Sequence, residues 1–264
     1  MQFSLRLLAT EPSTQIPFNY QYLLTGWLYR VLADADQTYT EFLHGEGYQA
    51  GRKTFRLFTF SDLRMQGYEL RPREGCFVLT SPVVDWTVSF YVDQAAEAFI
   101  IGLFQDQHLS LINRHLRADF TIERIETLPL LPFTDKLTLR TLSPLVVTEK
   151  DAGGMDQYLH PYDDAFGPRL LSNLIDKYRS IQLGSTDNVP EPGDFSYEPL
   201  TKAGLIRSRL VAIKEGSQQE TKIRGWFGFD FRLTGPTEVL KAGFLAGLGR
   251  YNAEGFGCVA AVLG

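Results

Sequence analysis

The stretch that most constrains this chain lies near its end: Gly243-Phe-Leu-Ala-Gly247-Leu-Gly249-Arg250-Tyr251-Asn252-Ala-Glu254-Gly255-Phe256-Gly257. Five glycines in fifteen residues, beside an arginine and aromatics, exceed what turn-making needs. Without a Cβ, such a run lets backbone N–H groups approach a phosphate or a base. An amphipathic helix precedes it, and the apolar run 258–263 follows as a closing strand. The order is therefore helix, glycine loop, strand. Mononucleotide and dinucleotide loops run strand, loop, helix. Their spacing also fails, because Asn252 stands where the third glycine of Gly247-x-Gly249 should come, and no Gly-Lys-Ser/Thr follows.

The pattern upstream repeats. Residues 2–9 alternate as a strand. Asn19 is a plausible N-cap for a helix over 20–33, with Tyr20, Leu23, Leu24, Trp27, Leu28, Val31 and Leu32 facing a core. Tyr22, Gly26 and Tyr29 make a second stripe. A short helix at 39–44, strands at 54–61, 75–81 and 86–92, a helix over 93–105 and a strand at 120–128 complete the half. Strand, helices, strands, helix, strand suits a ferredoxin-like βαββαβ unit. Pro129 and Pro132 punctuate the chain there, dividing it into 1–130 and 131–264. The second half reads as a strand over 136–148 interrupted at Ser143-Pro144, a helix over 169–179, and a loop over 184–199. Two long alternating strands, 202–214 and 219–233, then turn at Gly216, and a helix opens at 234–238. The expected fold class is α+β: two tandem ferredoxin-like, RRM-like domains. With 264 residues and 44% hydrophobic content, the chain can fill two cores.

Chemistry is sparser. The histidines are His44, His108, His115 and His160, and no pair has metal-ligand spacing. Asp34-x-Asp36 and Asp163-Asp164 read as caps or solvated charges before they read as Mg²⁺ ligands. No GxSxG or CxxC occurs, and Cys76 and Cys258 sit in apolar runs as buried thiols of a reducing cytosol. No metal and no cofactor is expected. No signal peptide or membrane span is visible, which points to the cytoplasm. The net charge of −5 gives no global attraction for nucleic acid, so any RNA must meet a local basic face. Arg52, Lys53 and Arg56 cluster within a dozen residues of His44. Lys202, Arg207, Arg209, Lys214, Lys222 and Arg224 lie on the hairpin, with Arg232 and Arg250 beyond. By the two-residue period, Arg207 and Arg209 face opposite Ile206, Ser208 and Leu210, so one hairpin face can present arginines while the other packs. With Trp226, Phe227 and Tyr251 available for stacking, single-stranded or hairpin RNA is the natural ligand.

Leu43-His44 after a helix ending in Tyr29, then Phe55-Arg56-Leu57-Phe58-Thr59-Phe60-Ser61, resembles the CRISPR repeat-processing endoribonucleases of the RAMP superfamily, the family numbered six among the CRISPR-associated proteins. Pro17-Phe-Asn19-Tyr20 fits its helix entry, Asn173-Leu174-x-x-Lys177-Tyr178 its central helix, and residues 247–257 its glycine-rich loop. The resemblance implies metal-independent cleavage of precursor CRISPR RNA by attack of a ribose 2′-OH on its adjacent phosphorus. His44 matches the family's histidine and Tyr29 its tyrosine, and either Lys53 or Arg56 takes the cationic role. Repeat RNA would lie along Arg52, Arg207, Arg209, Lys222, Arg224 and Arg250, with Gly247, Gly249, Gly255 and Gly257 as an RNA-holding loop. The alternative is a non-catalytic RAMP-type subunit holding guide RNA among other CRISPR-associated effector subunits.

Overall fold

The computed structural model describes residues 1–130, 132–182, 191–213 and 218–262. The first unit runs β1 (Gln2–Ala9), β2 (Gln15–Pro17), α1 (Tyr20–Ala35), α2 (Gln37–His44), β3 (Tyr48–Ala50), β4 (Lys53–Phe55), β5 (Phe58–Phe60), β6 (Arg64–Met65), β7 (Tyr68–Arg71), β8 (Cys76–Leu79), β9 (Val83–Phe90), α3 (Asp93–Gln105), β10 (His108–Ile112) and β11 (Arg117–Thr127). Its main sheet has the order β10-β11-β1-β9-β5, every pair antiparallel. Numbering β1, β5, β9 and β11 one to four gives 4-1-3-2, the split βαβ arrangement of a ferredoxin-like unit. The two-residue period turns Phe3, Leu5 and Leu7 of β1 into the core, where α1 and α3 cover them. The helices cross closely at Gly102, where a Cβ would lie 2.0 Å from the Val31 carbonyl oxygen.

The second unit runs β12 (Lys136–Thr141), β13 (Thr148–Lys150), β14 (Asp156–Tyr158), α4 (Phe166–Arg179), β15 (Ser196–Pro199), β16 (Arg207–Ile213), β17 (Thr221–Phe227), β18 (Asp230–Thr234), α5 (Thr237–Ala246) and β19 (Val259–Ala261). Its sheet order, β15-β18-β12-β19, is again 4-1-3-2 read from the far edge. The chain thus contains two ferredoxin-like units in tandem. No described helix is long and apolar enough to cross a membrane.

Several local expectations change. The second strand of the C-terminal sheet is β15, inside the stretch read as loop; residues 184–190 of that stretch lie outside the described residues. The expected strand 219–233 breaks at Gly228 (φ +73), so β18 joins the sheet while β16 and β17 form a separate hairpin. The expected strand starting at 202 begins at Arg207, after a short 3₁₀ turn at Ala203–Leu205. Lys214, Gly216 and Leu263 lie outside the described residues. The expected strand 54–61 is likewise two strands, because Leu57 adopts φ +57 between β4 and β5. Asn19 makes no side-chain cap; its Oδ1 accepts from the Ala212 N–H at 3.1 Å, tying α1 to the hairpin. Tyr29 lies inside α1, which continues to Ala35.

Candidate active site and its basic cleft

Helix α2 starts where Asp36 caps it, its Oδ1 accepting from Tyr39 N–H at 2.9 Å. That accounts for one member of the acidic pair Asp34-x-Asp36. The helix ends at His44, whose side chain is exposed. Gly47 follows at φ +57, and a Cβ there would meet Arg56 Nη1 at 2.7 Å. Glycine therefore lets the guanidinium lie back along this turn, where Arg56 Nη2 donates to the His44 carbonyl at 3.0 Å. The His44 ring stands edge-on to Tyr29, centroids 5.6 Å apart, and Phe58 backs Tyr29 at 5.8 Å. Burial pushes the Tyr29 phenol up, with the Arg56 guanidinium opposing. His44, Tyr29 and Arg56 thus form one group.

Lys53 lies on the same wall but reaches elsewhere. Its ammonium pairs with Asp176 of α4 at 2.5 Å. Strand β4 ends at Phe55, so Arg56 lies in the connection to β5 and strand alternation does not govern where the two cations point.

These residues line a cleft of about 1310 Å³ formed by both units. The second stripe of α1, Tyr22, Gly26 and Tyr29, forms one wall; Lys177, Arg250, Tyr251 and Glu254 belong to the other. Eight lysines and arginines line it against three acids, so a chain of net charge −5 still presents a locally basic cleft. Arg52 sits exposed at its rim, on the turn between β3 and β4.

The hairpin does not match its expected role. Register pairs Leu210 with Arg224 and Ala212 with Lys222, which puts Lys222 and Arg224 on the face opposite Arg207 and Arg209. Arg207 and Arg209 both lie over Phe227, at 5.0 and 5.5 Å from its centroid. Arg209 also makes an ion pair with Asp62, which Gln21 bonds at 3.2 Å. The same side carries Val211 into a small core with Val146, Ile223 and Phe256. The face that carries Arg209 and Val211 is the packed one, because Asp62 of the first unit draws Arg209 inward, while Arg207 stays exposed over the Phe227 ring. Arg224 donates to Ser208 Oγ at 3.0 Å, and Lys222 is exposed beside Glu220. Among the described hairpin residues only Ile213 reaches the cleft.

The glycine loop is not an open cradle. Gly247, Gly249, Gly255 and Gly257 are buried and left-handed, with φ from +67 to +85. Gly255 and Gly257 donate their N–H groups to Asn252 and Pro144 carbonyls at 3.0 and 2.9 Å. A Cβ on Gly249 would lie 2.3 Å from Val146 O, and one on Gly255 2.4 Å from the Phe60 ring. The loop wedges between the units, with Thr59 Oγ1 bonded to Phe256 O and Thr25 Oγ1 to Ala253 O, both at 2.9 Å. Glycine is demanded by the close approach of protein. What the loop presents to the cleft is side chains. Arg250 lies 5.0 Å over the Tyr251 ring and is held by Asp156 at 3.0 Å.

The loop is pinned by Lys177, a residue given no role of its own in the sequence reading. Its side chain is 1% exposed, and Nζ donates to Gly247 O and, at 2.7 Å, to Asn252 Oδ1. Asn252 Nδ2 in turn donates to Leu248 O and Phe256 O at 2.9 and 3.0 Å, closing the loop on itself. The available signal was spacing: Leu170, Leu174 and Lys177 share one face of α4, which puts a lysine on an apolar stripe. Burial pulls its pKa down to about 7. Between about pH 7 and the unfolded value near 10.5 the unfolded chain binds the extra proton, so the contribution of Lys177 to stability rises with pH across that window. The stability of wild type relative to Lys177→Met should rise by about 1.4 kcal/mol per pH unit there. Denaturant unfolding at pH 6.5 and 9.5 measures it, and a pH-independent difference would refute the assignment.

Two ferredoxin-like units closing on a basic cleft define the class: a RAMP-type fold. Solved structures agree, among them a Cas6-related protein from Pyrococcus furiosus (TM-score 0.82, 22% identity, 99% of this chain and 98% of that one). Another is described as a RAMP protein binding different RNA substrates (TM-score 0.80, 20% identity, both chains covered completely). The profile "CRISPR-associated protein Cas6, N-terminal" matches residues 15–126, and "CRISPR associated protein Cas6, C-terminal" matches 126–261. The chain belongs to the CRISPR-associated Cas6 family. Its relatives include the CRISPR-associated endoribonuclease Cas6 1 of Methanocaldococcus jannaschii, 27% identical over 98% of this chain and 93% of the relative. A second, from Pyrococcus furiosus, carries the same endoribonuclease name, at 27% identity over 98% of this chain and 89% of its own.

Proposed function

We propose that the chain is a metal-independent endoribonuclease that cuts precursor CRISPR RNA within its repeats and acts in the cytoplasm. The observation that carries this reading is His44 standing beside Tyr29 and Arg56 on the wall of a basic cleft. Relatives named as Cas6 endoribonucleases support it. The ribose 2′-OH loses its proton and attacks the adjacent phosphorus, and the P–O5′ bond breaks as the leaving oxygen takes a proton. The products are a 2′,3′-cyclic phosphate and a 5′-OH. An imidazole can both take and give a proton, so its residue type suits either step. Arg56, bonded to the His44 carbonyl, is the better placed cation for the phosphorane; Lys53, tied to Asp176, adds charge at the rim. Tyr29 orients the imidazole. Residues 1–130 carry the chemistry, while 131–264 hold RNA through Arg250 and Tyr251, and Arg52 extends the grip from the N-terminal side.

Purified protein incubated with its own genome's repeat RNA should cut equally well with and without EDTA. A single 2′-deoxy substitution at the scissile nucleotide should block cutting. Loss of cleavage in EDTA, restored by Mg²⁺, would overturn metal independence. Normal cutting of the deoxy substrate would overturn the nucleophile. Tight binding with no cutting at all would favour a guide-RNA binding subunit.

A further inference from the structure

Three acids line the cleft. Glu149 pairs with Arg169 at 3.7 Å, and Asp156 with both Lys150 and Arg250 at 3.0 Å. Glu254 has no ion pair with any described residue. It sits on the short turn Asn252–Glu254, which two left-handed residues, Tyr251 (φ +63) and Gly255 (φ +85), set off from the loop. That turn puts Glu254 on the cleft wall with Tyr251 and Arg250, whose guanidinium lies over the Tyr251 ring.

An unpaired carboxylate in a cleft built for a polyanion repels every phosphate that enters. It also carries an energetic penalty in the free protein: burial raises its carboxyl pKa, and a hydrogen bond from its own backbone N–H and the charge of Arg56 offset this only in part. Such a group is favourable in the complex only if the ligand brings hydrogen-bond donors to it. RNA offers two kinds, base N–H groups and the ribose 2′-OH. Single-stranded bases are read on their Watson–Crick edges while stacked on aromatic or arginine planes, and the Arg250–Tyr251 pair is such a plane. A carboxylate has two acceptor oxygens side by side, and the guanine edge presents two parallel N–H groups, N1–H and N2–H. We propose that Glu254 is a specificity-determining residue that accepts both N–H groups of one guanine of the bound RNA, stacked on Tyr251 and Arg250. This rests on the reading above that the ligand is repeat RNA.

The test reads binding, so it does not depend on cutting. Repeat RNA with a 2′-deoxy scissile nucleotide is titrated against wild type and Glu254→Gln, with each guanine in turn replaced by inosine, which lacks the 2-amino group. One inosine should weaken wild-type binding by about 10–100-fold, the range for one lost hydrogen bond to a charged acceptor. In Glu254→Gln the same replacement should cost far less, because the amide has one acceptor oxygen there. Glu254→Ala should reproduce that loss of coupling, and thermal unfolding of both variants verifies that they fold. Equal inosine penalties in wild type and variant overturn the proposal. Coupling to a single 2′-deoxy substitution away from the scissile site, in place of inosine, overturns it in favour of the ribose hydroxyl. A uniform fall in affinity across all repeat variants, with base preference unchanged, overturns it in favour of a carboxylate that only orients Arg56. A protein that binds the repeat with this coupling but never cuts leaves the inference standing while the nuclease reading fails.

Discussion

His44→Ala should reduce repeat cleavage by about 10²–10⁴-fold, the usual worth of one positioned proton transfer, while repeat binding stays close to wild type. The separation follows from where the residue sits. His44 ends α2 with an exposed ring that meets the Tyr29 ring at 5.6 Å, so truncation opens no cavity. Arg56 is bonded to the backbone carbonyl of His44, which alanine keeps. Single-turnover cleavage and filter binding on the same preparation separate chemistry from affinity. Tyr29→Phe should cost much less than His44→Ala, because the ring that packs between His44 and Phe58 remains. Wild-type cutting by His44→Ala would remove the imidazole from the mechanism altogether.

Gly257→Ala should destabilise the protein by on the order of 3 kcal/mol or more, a fall in unfolding midpoint of roughly 6–12 °C. Two costs coincide at this residue. Its φ of +73 is a left-handed conformation that a non-glycine residue adopts only with strain of about 1–3 kcal/mol. The added Cβ would also lie 1.9 Å from Leu248 O and 2.7 Å from Asn252 Nδ2, within the hydrogen-bonded neck of the loop. Relief means opening the Leu248 N–H to Gly257 O bond and displacing the amide that Lys177 holds. Gly51→Ala is the matched comparison: φ is +59, but nothing lies within 4 Å of the new methyl, so only the backbone strain applies. Similar unfolding midpoints for the two variants would show that packing around the loop does not matter.

Much of the fold was legible in the chain because its signals are local. The alternation of Phe3, Leu5 and Leu7 and the helical spacing of Leu24, Trp27, Leu28 and Val31 each concern a few adjacent residues, and each is buried as its period requires. The misreadings share a cause. Alternation within 202–214 and 219–233 marks extended backbone, but it does not say which sheet a strand joins; Gly228 decides that by turning the chain left-handed where Thr141 Oγ1 accepts its N–H at 3.0 Å. The side of the hairpin that packs was inverted for a similar reason. Arginine is normally a surface residue, and only the presence of Asp62, from a segment 147 residues away, draws Arg209 inward.

By itself, the sequence determined two βαββαβ units, the residue types able to do acid–base chemistry, and a glycine run that permits close approach of the backbone. These follow from periodicity, side-chain chemistry and steric freedom, all of which are properties of neighbouring residues. Only the tertiary structure decided which cation stands by His44, that Lys177 pins the loop, and that Glu254 alone among the three acids on the cleft wall lacks an ion pair among the described residues. Each depends on where side chains point once the elements pack, which the periodicity of neighbouring residues does not encode. The glycine loop shows the division most clearly: its composition announces close approach, but what approaches is the protein's own backbone and the rings of the opposite unit.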